Sequence, residues 1–139
     1  MADISITNSS VLPASTAKLD KSGTAGEVIA AGNWVYKSGT TWLKTDADAS
    51  TTDSTKSVAG GMAVTDGLII GAPVVVATEG NVDVGSVVAQ GVPYVLSGGA
   101  GLMCPVADLA TNDWVTYVAT GVDSNTIRIS IDPTLIKFA

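Results

Sequence analysis

Histidine is absent from the 139 residues. With it go the commonest general base and the commonest neutral metal ligand, and no Ser-His-Asp triad can be built. The single cysteine, Cys104, excludes an intrachain disulfide, and its neighbour Pro105 completes no metal or redox pattern, so a structural thiol is expected. Charge is scarce: 14% of residues are charged against 46% hydrophobic, and seven bases against thirteen acids leave a net charge of −6. The bases are scattered singly. Binding a phosphate backbone takes several lysines or arginines placed together, so nucleic acid is excluded as a partner. Long apolar runs are missing as well. The longest, Gly67 to Ala77, is broken by Gly71 and Pro73 and falls well short of the ~20 residues that span a bilayer, so no membrane association is expected. The opening MADISITNSSVLPASTAKLD carries no basic start, continuous apolar segment or small-residue cleavage site; no export is expected, and the protein should be soluble.

What is present favours strands. Fifteen glycines and many Ser and Thr supply a surface of small neutral polar residues, whereas helices usually carry Glu, Lys, Arg and Gln on their wet face. A chain of this length is one domain that buries roughly 68% of its unfolded surface, enough for a core without staples. Residues 1–20 mix short apolar alternation (Ile4, Ile6) with Ser, Thr, Asn and Pro and read as an extended arm or edge strand. Residues 21–139 read as a single β domain.

The first hairpin is Trp34-Val35-Tyr36, a turn at Lys37-Ser38-Gly39-Thr40, and a return through Trp42 and Leu43. Trp34 or Tyr36 is expected across from Trp42, a cross-strand aromatic pair worth roughly 0.2–1 kcal/mol over alanines. The same outline recurs at GAPVVVATEG (Gly71 to Gly80) and GVPYVLSGG (Gly91 to Gly99), each closing on a glycine turn. A fourth hairpin spans Asp113 to Ile131, with Ile127, Ile129 and Ile131 alternating with Arg128 and Ser130 as in a half-buried strand. PVADLAT (Pro105 to Thr111) invites a helical turn. Residues 46–56, DADASTTDSTK, hold no large apolar side chain and read as an exposed loop. The fold class is therefore all-β: a small sandwich or barrel built of hairpins, with an extended N-terminal arm.

Reaction chemistry finds no residue set. SGGAG (Ser97 to Gly101) fails G-x-G-x-x-G because the last required position is Cys104, and no Lys completes a P-loop. Counted from Asp46 with Asp48 and Asp53, the EF-hand template meets Thr51 where it needs Gly and Ser57 where it needs Glu. Paired carboxylates for glycoside hydrolysis cannot be assembled from the two glutamates, Glu27 and Glu79, or from any Asp. No enzyme activity, metal or cofactor is expected. Trp34, Trp42 and Trp114 could form a sugar-stacking platform, although core and hairpin packing is the usual fate of tryptophan.

Three segments, Ala2 to Ser50, Ser57 to Gly85 and Tyr94 to Val118, resemble a family of small proteins encoded beside the major capsid protein of tailed bacteriophages, the capsid decoration or cement proteins. The resemblance covers nearly the whole chain and is carried by the G-E-x-I-x-A-G-x-x-V-Y-like stretch at Gly26 to Tyr36 and the G-x-P-V-x-V-A-T-x-G-x-V run at Gly71 to Val82. It implies a compact β domain on the outer surface of an icosahedral head, made in the host bacterial cytoplasm, often trimeric, and holding capsomers of the major capsid protein together. Ile4, Ile6, Val11 and Leu12 in the arm and Leu135, Ile136 and Phe138 in the tail are the expected capsid or subunit contacts, since they lie outside the obvious hairpins. The alternatives are a carbohydrate-binding surface module and a structural subunit of a tail or fibre.

Overall fold

The computed structural model describes residues 3–46, 59–108 and 114–137, with the side chains of 133 and 135–137 left aside. Among the described residues ten strands follow in order: β1 (Leu12–Pro13), β2 (Lys18–Ala25), β3 (Trp34–Ser38), β4 (Thr41–Lys44), β5 (Gly61–Ala63), β6 (Pro73–Asp83), β7 (Pro93–Leu96), β8 (Met103–Pro105), β9 (Trp114–Gly121) and β10 (Thr126–Lys137). Two single 3-10 turns, Asn8–Ser10 and Val106–Asp108, are the helical elements among the described residues. The protein is all-β, and its pairing is mixed because β2 runs parallel to β4 while the other ladders are antiparallel.

Five strands close on themselves. The ladder runs β2-β4-β3-β5-β6, and β6 pairs back to β2, which makes a small barrel without a free edge. Its interior holds Ala25, Ile29, Val35, Trp42, Ala63, Val74 and Val76, all buried. The indole of Trp42 is the largest of these side chains, and glycines make room for it. A Cβ at Gly23 would collide with Trp42 Nε1, and one at Gly60 would stand 2.9 Å from Trp42 Cζ3.

The second half of β6 leaves the barrel and continues the sheet through β10, β9, β7 and β8. Gly80 marks the passage. Its φ of +89° lies in the left-handed region, and a Cβ there would strike the backbone of Thr16 and Ala17. The sequence reads GAPVVVATEG as a hairpin closing on a glycine turn; instead the strand runs through Glu79 and Gly80 to Asp83. The larger core fills the space between the barrel wall and this second sheet. Trp34, Met62 and Ala77 face Tyr94, Leu96, Met103, Val118, Ile127 and Ile129 within it. A third cluster, Val95 with Cys104, lies on the other face of β7 and β8 under Val106, Val115 and Tyr117, so Cys104 is a buried packing thiol.

The N-terminal residues do not hang free over their described part. Ile4 N–H donates to Met103 O at 2.9 Å on the edge of β8, Ile4 and Ile6 pack on the larger core, and β1 pairs with β6 through Leu12↔Asp83. The described part of the arm expected at 1–20 is thus packed on the domain, with Ile4, Ile6 and Val11 against the larger core. Of the loop expected at 46–56, Asp46 is half-buried and the remainder lies outside the described residues.

Candidate interaction surface

The segment between β5 and β6, Val64 to Ala72, shows how a sequence can hold greasy side chains in water. Asp66 anchors its start, accepting a hydrogen bond from Ala31 N–H at 2.8 Å and from Asn8 Nδ2 at 3.1 Å. Gly67 then forms an isolated antiparallel bridge with Ile29, N–H to O at 2.7 Å one way and 2.9 Å the other. Only glycine closes that bridge: a Cβ would sit 2.6 Å from Val74 Cγ2 and 2.9 Å from Ala25 Cβ. Beneath it, the fully buried side chain of Ile29 plugs the end of the barrel.

Beyond the bridge the chain turns outward and back. Ala72 N–H donates to Ile69 O at 3.0 Å, and Gly71 has φ +92°, as the third position of a type II turn requires. Gly71 N–H donates to Ala25 O and Ala25 N–H donates to Ala72 O, each at 2.8 Å, which ties the return to β2. The turn is therefore pinned at both feet. It presents Leu68, Ile69 and Ile70 at 57%, 75% and 71% exposure, and the Ile29–Gly67 register sets Val28, 53% exposed, opposite Leu68. These four residues expose roughly 400–500 Å², within the range of the largest patch on an ordinary monomer, a patch that is often functional.

The contacts expected from sequence are dispersed. Val11 is buried in the larger core and cannot serve as an external contact in this fold. Ile4 and Ile6 are half-buried against that core, and of the four expected arm contacts Leu12, 66% exposed, is the one that faces outward. Leu135 and Ile136 lie in β10, where Ile136 pairs with Val115, and Phe138 lies outside the described residues. The tip at Leu68 to Ile70 was legible as part of the longest apolar run; its exposure was not, because that depends on the bridge at Gly67.

Two of the three tryptophans are interior, and Trp114, at the start of β9, is half-buried. Trp34 is fully buried in the larger core and Trp42 lies in the barrel, on opposite faces of the hairpin, so neither offers a ring for sugar stacking. The expected cross-strand pair of Trp34 or Tyr36 with Trp42 does not form. The two-residue turn at Gly39 and Thr40 pairs Tyr36 with Leu43 and Lys37 with Trp42. Lys37 Nζ lies 5.3 Å from the Trp42 ring centroid and 3.5 Å from Asp20 Oδ2, and donates to Ser22 Oγ at 2.7 Å. Ser22 in turn donates to Asp20 Oδ1 from Oγ at 2.6 Å and from its backbone N–H at 2.8 Å. These serine hydrogen bonds, with Lys37 beside them, hold the Asp20 carboxyl below its ordinary value. Lys37 thus donates to Ser22, which itself donates to Asp20, a clasp that ties β3 to β2 at the surface.

A concavity of about 420 Å³ opens where β10 parts from β6. Thr78, Glu79, Gly80, Arg128, Ile129, Ser130 and Ile131 line it, a mixed polar and apolar set. Among the described residues no group of three or more His, Cys, Asp or Glu is placed to hold a metal ion. No helix there is long and apolar enough to cross a membrane.

Compared with protein-family models, with curated proteins and with solved structures, the chain matches none. Function is therefore argued from the surface itself.

Proposed function

We propose that this chain is a capsid decoration protein that adheres to the outer surface of an icosahedral phage head and braces the joints between capsomers of the major capsid protein. The observation that carries the reading is the pinned turn at Leu68, Ile69 and Ile70, an adhesive apolar tip held out from a closed barrel. Three features support it: the resemblance at Gly26 to Tyr36 and Gly71 to Val82, a framework whose polar clusters serve structure, and a net charge of −6 that suits the outside of a shell better than its nucleic-acid-filled interior.

Adhesion of this kind works by linkage. A copy seated across a joint must lose its contacts before the joint opens, and each ~1.4 kcal/mol of binding confined to the closed joint makes opening tenfold less favourable. Many copies around a shell multiply the effect. The test is sedimentation of the purified protein with undecorated shells of the major capsid protein encoded beside it. Saturable recovery in the shell fraction is expected; recovery no greater than without shells, at low and at physiological salt, contradicts the reading.

A further inference from the structure

We infer that the tip formed by Val28, Leu68, Ile69 and Ile70 is a plug for an apolar socket on a different protein, and not a joint between copies of this chain; the inference rests on the shell-binding reading above. Area is the first argument. The exposed tip amounts to roughly 400–500 Å², whereas a stable interface of standard size takes about 800 Å² from each partner, so the tip alone is too small to hold two free copies together.

Shape is the second. Side chains 71% and 75% exposed on a two-stranded turn form a convex point. Buried contact requires a concave apolar partner, and the concavity at the parting of β6 and β10 sets Thr78, Glu79, Arg128 and Ser130 beside Gly80, Ile129 and Ile131. Seating Ile69 or Ile70 there would strip water from charged groups without pairing them. The molecule thus carries the plug, and this concavity, with Glu79 and Arg128 in its lining, is a poor match for it.

Charge is the third. Glu27 and Asp66 adjoin the tip in sequence, next to Val28 and Gly67, and no Lys or Arg occurs between Lys56 and Arg128, a stretch with six carboxylates. Two acidic copies meeting tip to tip bring like charges together, while a socket with a neutral or basic rim gains from the same arrangement. Preorganisation favours the plug further, since the hydrogen bonds at Gly67, Gly71 and Ala72 fix the turn before binding and little ordering cost remains.

The experiment compares wild type, Ile69→Asp/Ile70→Asp and the control Val122→Asp, at an exposed apolar residue outside the tip and outside the expected contacts. Each is titrated onto undecorated shells of the co-encoded major capsid protein, run alone in sedimentation velocity, and mixed with phosphatidylcholine/phosphatidylglycerol vesicles. Circular dichroism and melting establish that each variant folds; the tip residues are solvent-exposed, so melting should match wild type. The inference expects wild type and Val122→Asp to bind shells alike and the tip variant to bind roughly thirtyfold more weakly or worse, the loss typical of a central hot spot. Equal binding by the tip variant overturns the plug and the tip as the adhesive element, while recovery of wild type with shells still supports adhesion through another face. Failure of wild type to bind shells overturns both. Self-association or vesicle binding by wild type that the tip substitutions abolish assigns the tip to a second copy or to lipid and overturns the inference as well.

Discussion

Ile29 and Gly67 exchange both backbone hydrogen bonds across one end of the barrel, and this single bridge divides a buried plug from an exposed one. On one side Ile29 fills the barrel end; on the other the chain leaves with Leu68, Ile69 and Ile70 in water. Gly67→Ala forces a methyl between Val74 and Ala25. Overpacking of this sort costs about 1–3 kcal/mol. Urea denaturation should show that loss, and amide exchange at Ile29 should rise with it.

Trp42 tests the barrel interior. Trp42→Ala removes its largest side chain and is expected to cost about 3–5 kcal/mol. Trp42→Phe should cost much less, because the indole Nε1 is buried without a hydrogen-bond partner and its loss removes a desolvated donor. Equal losses in the two variants, measured by chemical denaturation, would show that the barrel does not close around the ring. Gly23→Ala, which intrudes on the same indole, should destabilise wild type and be partly relieved in the Trp42→Phe background.

Asp20 sets a pH dependence. Its carboxyl is held below the ordinary value of 3.8, first by the Ser22 hydroxyl and backbone N–H and then by Lys37. The unfolded chain therefore takes up its proton at higher pH than the folded one. The stabilising contribution is complete above the unfolded value and is lost as pH falls through the folded one. The group is partly exposed, so solvent screening keeps the contribution small. Asp20→Asn should flatten the acid limb of a melting-temperature-against-pH curve slightly and leave its shape above pH 6 unchanged.

Much of the fold was readable because strand signals are local. The β3 and β4 hairpin follows from the turn at Gly39 and from Trp, Val and Tyr in alternation, and Ile127 and Ile129 do alternate into the core with Arg128 outside. The tryptophan pairing failed for a reason of parity. A two-residue turn pairs even positions with odd ones, so Trp34 cannot lie across from Trp42. Barrel closure was not readable either, since the parallel contact of Thr24 with Thr41 and the passage of β6 through Gly80 depend on distant segments. The candidate surface was half legible: Gly67 to Ala77 stands out as apolar, but an apolar run reads as core until the bridge that turns it outward is known.

Adjacent residues at the N-terminus should behave oppositely. Val11 is buried in the larger core and Leu12 stands in solvent. Val11→Ala should lower stability by about 1–2 kcal/mol through lost burial, while Leu12→Ser should stay within about 0.5 kcal/mol of wild type. Thermal melts of the two variants side by side check both.

Locating the protein on intact particles reaches the central claim most directly. Cryo-electron microscopy of purified heads should show one compact density per attachment point on the outer face, with the Leu68 to Ile70 end of the barrel against the shell. Heads that carry genome and major capsid protein but show no such density, and no such chain by mass spectrometry, contradict the account.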